Sequence, residues 1–113
     1  MCIFCKIIAK EIPSDIVYED ETVLAFRDAH PLAPVHILVI PQKHVESMND
    51  FADEALLGHM LAVAVKIAKD LKISEKGYKL LIRTGHDGGQ EVPHVHLHLI
   101  GGARLKEDIG VAK

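Results

Sequence analysis

The sequence predicts an α+β fold: a mainly antiparallel sheet of about five strands with one long and one short helix. Three observations lead there. Strand-like segments come in runs rather than alternating with helices, so no βαβ unit is available to build a parallel sheet. One long segment ending at Leu71 repeats apolar residues at helical spacing. Two segments carry strand signatures: Val35–Ile40 as a continuous β-branched and apolar run, and His94–Ile100 as strict alternation.

Taken in order, Ile3–Ala9 has apolar residues at 3, 4, 7 and 8 and reads as a short helix, with Pro13 soon after it. Ile16–Glu19 and Thr22–Arg27 read as strands around the polar turn Glu19-Asp20-Glu21. His30–Pro34 holds two prolines and is a loop, and Val35–Ile40 is a central strand ended by Pro41. Asp50 or Asp53 caps the long helix. Its apolar face is Leu56, Leu57, Met60, Leu61, Ala64, Ile67, Ala68 and Leu71. Glu75-Lys76-Gly77 is a turn, Tyr78–Ile82 a strand, and Gly85–Gly89 a polar glycine-containing loop. His94–Ile100 is the last strand, closed by Gly101-Gly102. No repeat or linker interrupts the chain, so residues 1–113 form one domain, with about 103–113 as a C-terminal tail.

Composition narrows the function. A net charge of −3 gives no general attraction for nucleic acid or an anionic membrane, so any phosphate site must be built locally. The apolar runs are too short to span a bilayer, and the N-terminus lacks the pattern of an export signal. The expected location is the cytoplasm. There, Cys2 and Cys5 read as reduced thiols or metal ligands rather than a disulfide.

The chemistry concentrates in His94-Val95-His96-Leu97-His98. On a strand, alternate side chains share a face, so three imidazoles project together while Val95 and Leu97 enter the core. Adjacent imidazoles resist charging together, so such a site mixes neutral, nucleophilic rings with protonated ones that stabilise anionic oxygen. A structural three-histidine metal site is the rival reading. The preceding loop, Gly85–Pro93, offers free backbone N–H groups to phosphate oxygens.

Gly88-Gly89-Gln90-Glu91-Val92-Pro93-His94-Val95-His96-Leu97-His98-Leu99 resembles the signature of the histidine-triad (HIT) nucleotide-binding family. Ile7-Ile8 through Pro13, Val23–Asp28, Ala33–Pro41, Lys43-His44 and Gly77-Tyr78 follow the family pattern in order, so the resemblance covers essentially the whole chain. The closing Gly101-Gly102 resembles the HINT branch of nucleoside phosphoramidases. The resemblance implies that His96 is the nucleophile, attacking the α-phosphate of a purine nucleotide derivative to form a nucleotidyl-histidine. His98 contacts phosphate and assists the leaving group, His94 orients the site, and His36 joins from the neighbouring strand. Asp28 accepts from the ribose hydroxyls, and Phe26 and Ala29 line the base pocket. Gln90 and the backbone of Gly89, Glu91 and Val92 hold phosphate oxygens. Two positions depart from the pattern: Arg83 stands near the phosphates where the family has asparagine, and Ala29 replaces a larger isoleucine. Both bear on substrate preference rather than reaction class.

The resemblance further implies a structural zinc on Cys2, Cys5, His44 and His94, a closed tetrahedral set with no part in the chemistry, and catalysis that requires no cofactor. It implies a homodimer joined through the long helix and the Tyr78 strand, with Leu57, Leu61 and Val65 near the two-fold axis. His30, His59 and His86 read as surface or loop residues. The competing functional readings are a non-catalytic nucleotide-sensing or zinc-stabilised interaction module, and a dinucleoside polyphosphate hydrolase.

Overall fold

Helix α1 (Ile3–Ile8) opens the fold, and a computed structural model of the chain describes residues 2–112. Cys2 caps α1, its sulfur accepting from the Cys5 backbone N–H at 3.3 Å. Strands β1 (Ile16–Glu19), β2 (Val23–Arg27) and β3 (Val35–Pro41) follow, then a 3₁₀ turn at Met48–Asp50 that periodicity did not announce. Helix α2 (Glu54–Asp70) begins at Asp53, whose carboxylate accepts from the Leu56 N–H at 3.0 Å. Strands β4 (Tyr78–Leu81) and β5 (Leu97–Gly101) complete the five-stranded sheet, ordered β1-β2-β3-β5-β4 with every neighbouring pair antiparallel.

The α+β expectation therefore holds, with two corrections. The first concerns α2. Leu56, Met60, Val63, Ala64, Ile67 and Ala68 are its buried face, whereas Leu61 is 41% exposed and Leu57 only half-buried. Those two leucines lie on the flank turned from the sheet.

The second concerns the last strand, which starts at Leu97 rather than His94. Even-numbered residues of β3 turn their backbone groups to β2, as the Asp28 N–H to His36 carbonyl and Gln42 N–H to Thr22 carbonyl bonds show. Pro41 therefore faces the β5 side and has no N–H to give there. Val95 instead donates its N–H to the Val45 carbonyl, and the ladder ends.

The sheet has two unlike faces. Val23, Ala25, Ile37, Val39, Leu97 and Leu99 pack under α2 in the main core. Leu24, Phe26, Leu38 and Ile40 form a smaller cluster with Phe4 and Ile7 of α1. The six residues of α1 cover only part of that second face, and the histidines occupy the remainder. Among the described residues, no helix is long and apolar enough to cross a membrane.

Candidate active site

The β3–β5 register sets Leu38 opposite His98 and His36 opposite Ile100, so both imidazoles rise from one face of adjacent strands. His36, His94, His96 and His98 are all buried. Their hydrogen bonds determine which nitrogen carries a proton.

The Leu32 backbone N–H donates to His36 Nδ1 at 3.1 Å, so neutral His36 carries its proton on Nε2. That N–H points at His98 Nδ1, 2.9 Å away, which must accept. His98 is thereby left with its N–H on Nε2, at the outer end of the relay. Burial lowers the His36 pKa, with Asp28 opposing; the Asp28 carboxylate lies 3.5 Å from His36 Nε2. Burial, then the neighbouring His96, His36 and Arg83, press His98 from 6.5 down to about 4.

His96 is oriented from the opposite direction. Its Nδ1–H donates to the His94 carbonyl at 2.8 Å, because a carbonyl can only accept. The Nε2 lone pair is free, as a nucleophile requires. Phe4 of α1 packs edge-on against the His96 ring, with centroids 5.1 Å apart, and against Phe26 at 5.5 Å. Phe4 thus shapes the site, although the sequence marked it only as an apolar position in a short helix.

His94 faces away from this chemistry. Its Nε2–H donates to the Pro41 carbonyl at 2.8 Å, filling a place the ladder left vacant, and its Nδ1 meets a separate cluster. Cys2 Sγ, Cys5 Sγ, His44 Nδ1 and His94 Nδ1 form a compact tetrahedron. Its six edges are 3.3 Å (Cys2–Cys5), 3.6 Å (Cys2–His44), 3.4 Å (Cys2–His94), 3.3 Å (Cys5–His44), 3.6 Å (Cys5–His94) and 3.2 Å (His44–His94). Four such donors around zinc have edges of roughly 3.3–3.8 Å. The donor set and its spacing fit the metal, and the His94–Pro41 bond is the outer support that metal-bound histidines need.

Asp28, half-buried just beyond β2, accepts from the His30 N–H at 2.8 Å through Oδ1, leaving Oδ2 toward His36. Phe26 is buried, and Ala29, three residues further on, is exposed. Arg83 Nη1 stands 3.5 Å from His98 Nε2. Gln90 does not present its side chain to the site. Its amide donates to the Glu46 and Val92 carbonyls at 2.6 and 3.0 Å, and its oxygen accepts from the Gly85 N–H at 3.0 Å. Gln90 braces the loop, and only the backbone of this segment is left to face a ligand. Gly89 (φ +78°) takes a conformation that favours glycine there, and an added Cβ would touch Arg83 Cδ at 3.4 Å. Glu91 is exposed and Val92 packs on the α1 cluster.

His30 and His86 are exposed, as expected. His59 is not idle: its Nε2 meets the Asp20 carboxylate at 2.6 Å, tying α2 to the β1–β2 turn. A separate concavity of about 690 Å³ adjoins the α2–β4 turn and Gly102. It is lined by three cations, Ile73 and small residues, with no imidazole, thiol or carboxylate to carry chemistry.

The family model described as HIT domain matches residues 9–105. The chain is 53% identical to the purine nucleoside phosphoramidase of Escherichia coli (strain K12) over 105 residues, covering 91% of this chain and 88% of that protein. The crystal structure of a HIT family hydrolase from Legionella pneumophila Philadelphia 1 superposes with a TM-score of 0.94 at 46% identity, covering 97% of this chain and all of that one. A histidine triad protein from Clostridium difficile superposes with a TM-score of 0.91 at 46% identity and 96% coverage of both chains.

Proposed function

This chain belongs to the HIT domain family, and from that premise we propose that it is a purine nucleotide hydrolase cleaving nucleoside 5′-phosphoramidates through a nucleotidyl-His96 intermediate. The observation that carries the reading is the opposed wiring of two rings: His96 with a bare Nε2, His98 with an N–H at Nε2. A nucleophile and a proton donor stand side by side, their ring centroids 5.0 Å apart.

His96 Nε2 attacks the α-phosphorus, and the bond to the leaving group breaks with its electron pair going to the departing atom. An amine takes the His98 Nε2 proton as it leaves, and the negative charge this puts on the neutral ring is held by the Arg83 guanidinium, 3.5 Å from that nitrogen, until water's proton returns. Water then breaks the P–Nε2 bond, releasing nucleoside monophosphate, and its proton restores His98. Two displacements replace one direct attack by weakly nucleophilic water. Backbone N–H groups of the Gly89–Val92 loop and the Arg83 guanidinium hold charge on the phosphoryl oxygens. Asp28 Oδ2 accepts from the ribose, above a floor made by Phe26, with Ala29 at the pocket edge. A dinucleoside polyphosphate hydrolase would share the first step, and a sensing module would lack it.

Zinc on Cys2, Cys5, His44 and His94 is structural in this reading. The set is closed, and it anchors α1 to the segment leading into β5. The homodimer reading draws support from Leu57, Leu61 and Val65, spaced one turn apart on the flank of α2, and from the half-buried edge strand β4. An isologous pairing of two copies would cover both. The cytoplasm suits the unbridged thiols of Cys2 and Cys5.

The deciding experiment mixes enzyme and adenosine phosphoramidate in a single turnover and quenches early. Mass spectrometry is expected to find adenylate on the peptide containing His96, with amine released in step. His96→Asn is expected to lose turnover by about a thousandfold or more while still binding AMP. Near wild-type turnover in that variant, or no covalent adduct, would refute the mechanism.

A further inference from the structure

Arg83 lies two residues beyond β4, and continuing the β4–β5 register, in which Leu81 faces His98, sets it across from His96. Its stem lies against Gly89, and its Nη1 is 3.5 Å from His98 Nε2. A guanidinium can only donate. The relay from the Leu32 N–H through His36 makes His98 Nε2 a donor as well. Two donors therefore converge with no acceptor between them, and among the described residues Arg83 takes part in no ion pair. The geometry calls for an anionic oxygen shared by both.

We infer that Arg83 is a specificity-determining residue that closes with His98 Nε2–H on the leaving-group oxygen, favouring nucleotidyl mixed anhydrides, in which a second acid is joined to the α-phosphate through oxygen. This rests on the nucleotidyl-His96 reading. The chemistry separates the two leaving groups. When the P–O bond of a mixed anhydride breaks, the electron pair stays on an oxygen that departs as an anion and needs no proton. A guanidinium stabilises that charge as it forms. When a P–N bond breaks, the nitrogen gains a proton and departs neutral, so Arg83 acts on that step only through the acidity of the donor and finds no charge to hold on the departing atom. Asparagine at this position supplies a hydrogen bond without the charge. The arginine therefore moves preference toward phosphate, sulfate or carboxylate as the departing group.

The test compares wild type, Arg83→Asn and Arg83→Lys on three probes: adenosine phosphoramidate, adenosine 5′-diphosphate and adenosine 5′-phosphosulfate. In Arg83→Asn, kcat/KM for the two anhydrides is expected to fall roughly tenfold further than for the amidate, with Arg83→Lys between. A loss confined to one anhydride identifies which departing acid the clamp fits. A second arm needs no turnover. In a His96→Asn background, calorimetry is expected to find the ADP-to-AMP affinity ratio reduced about tenfold by Arg83→Asn. Equal losses on amidate and anhydrides, or an unmoved affinity ratio, overturn the assignment. Failure to detect any nucleotidyl-His96 would instead refute the catalytic reading, and the affinity ratio would still decide the role of Arg83.

Discussion

On the α2 side of the central β3–β5 pair stand Ile37, Val39, Leu97 and Leu99; on the α1 side, one residue out of step, stand His36, Leu38, His98 and Ile100. The first set is sealed under a seventeen-residue helix, the second partly under a helix of six. Each strand thus contributes to core and site at once, because its side chains alternate. The aliphatic face is held by burial. The histidine face is held by directional bonds, each ring nitrogen having an assigned partner or an assigned vacancy. Stability is concentrated on one side of the sheet and chemistry on the other.

The sharpest way to break that division is to damage the apolar face alone. Met60 is fully buried on α2, and Met60→Ala is expected to cost about 2–5 kcal/mol of unfolding free energy by urea titration. Folded Met60→Ala protein should keep a near wild-type kcat. A large fall in kcat at unchanged fold would show that the faces are coupled.

Metal removal tests the other side. Two buried residues of α1, Phe4 and Ile7, give it little apolar anchorage, so zinc is expected to contribute what burial cannot. Chelation or Cys2→Ser should lower amide-exchange protection of residues 3–8 by roughly tenfold, about 1.4 kcal/mol. Protection in α2 should change little. Equal loosening of both helices would contradict the contrast, and full protection without metal would remove zinc from it.

A smaller effect follows from His98. Its pKa falls from 6.5 to about 4 on folding, so the unfolded chain binds the extra proton first. Stability is fully present above 6.5 and is lost as pH falls through the window down to about 4. The loss from this residue is expected to be about 1 kcal/mol between roughly pH 7 and 5.5. Comparing urea midpoints of wild type and His98→Leu at both pH values checks it: the wild type should lose more. Asp20, bonded by Tyr18, His59 and two backbone N–H groups, is held well below the usual carboxylate range, so its contribution disappears only at still lower pH.

The fold was legible because periodicity reports which face is buried. The long helix and the β3 run read directly from residue type, while the cap was narrowed only to Asp50 or Asp53, between which the Leu56 N–H decides. The extent of β5 was not legible: His94–Ile100 alternates throughout, but pairing is set by the partner strand, and Pro41 withdraws an N–H that no reading of residues 94–100 reveals. The histidine triplet announced chemistry, yet its division of labour depended on bonds to Leu32, Pro41 and the His94 carbonyl, all backbone groups. The Cys2/Cys5/His44/His94 set was reached through family resemblance, since ligands 92 positions apart leave no local pattern. His59 escaped because its partner, Asp20, lies 39 residues away across the β1–β2 turn.

The register joining His36 to His98 brings together residues 62 positions apart, with α2 and β4 lying in the intervening chain. The β1–β2 and β2–β3 pairs close short loops and are cheap to form in conformational entropy. The β3–β5 pair must close a loop of some sixty residues and follows them. On the proposed mechanism, His96 and its proton donor His98 are therefore expected to come together only at the end of folding. A chain arrested before β5 docks has the β1–β2–β3 meander but no His36–His98 pair, so recovery of activity during refolding is expected to read out the last event rather than the first.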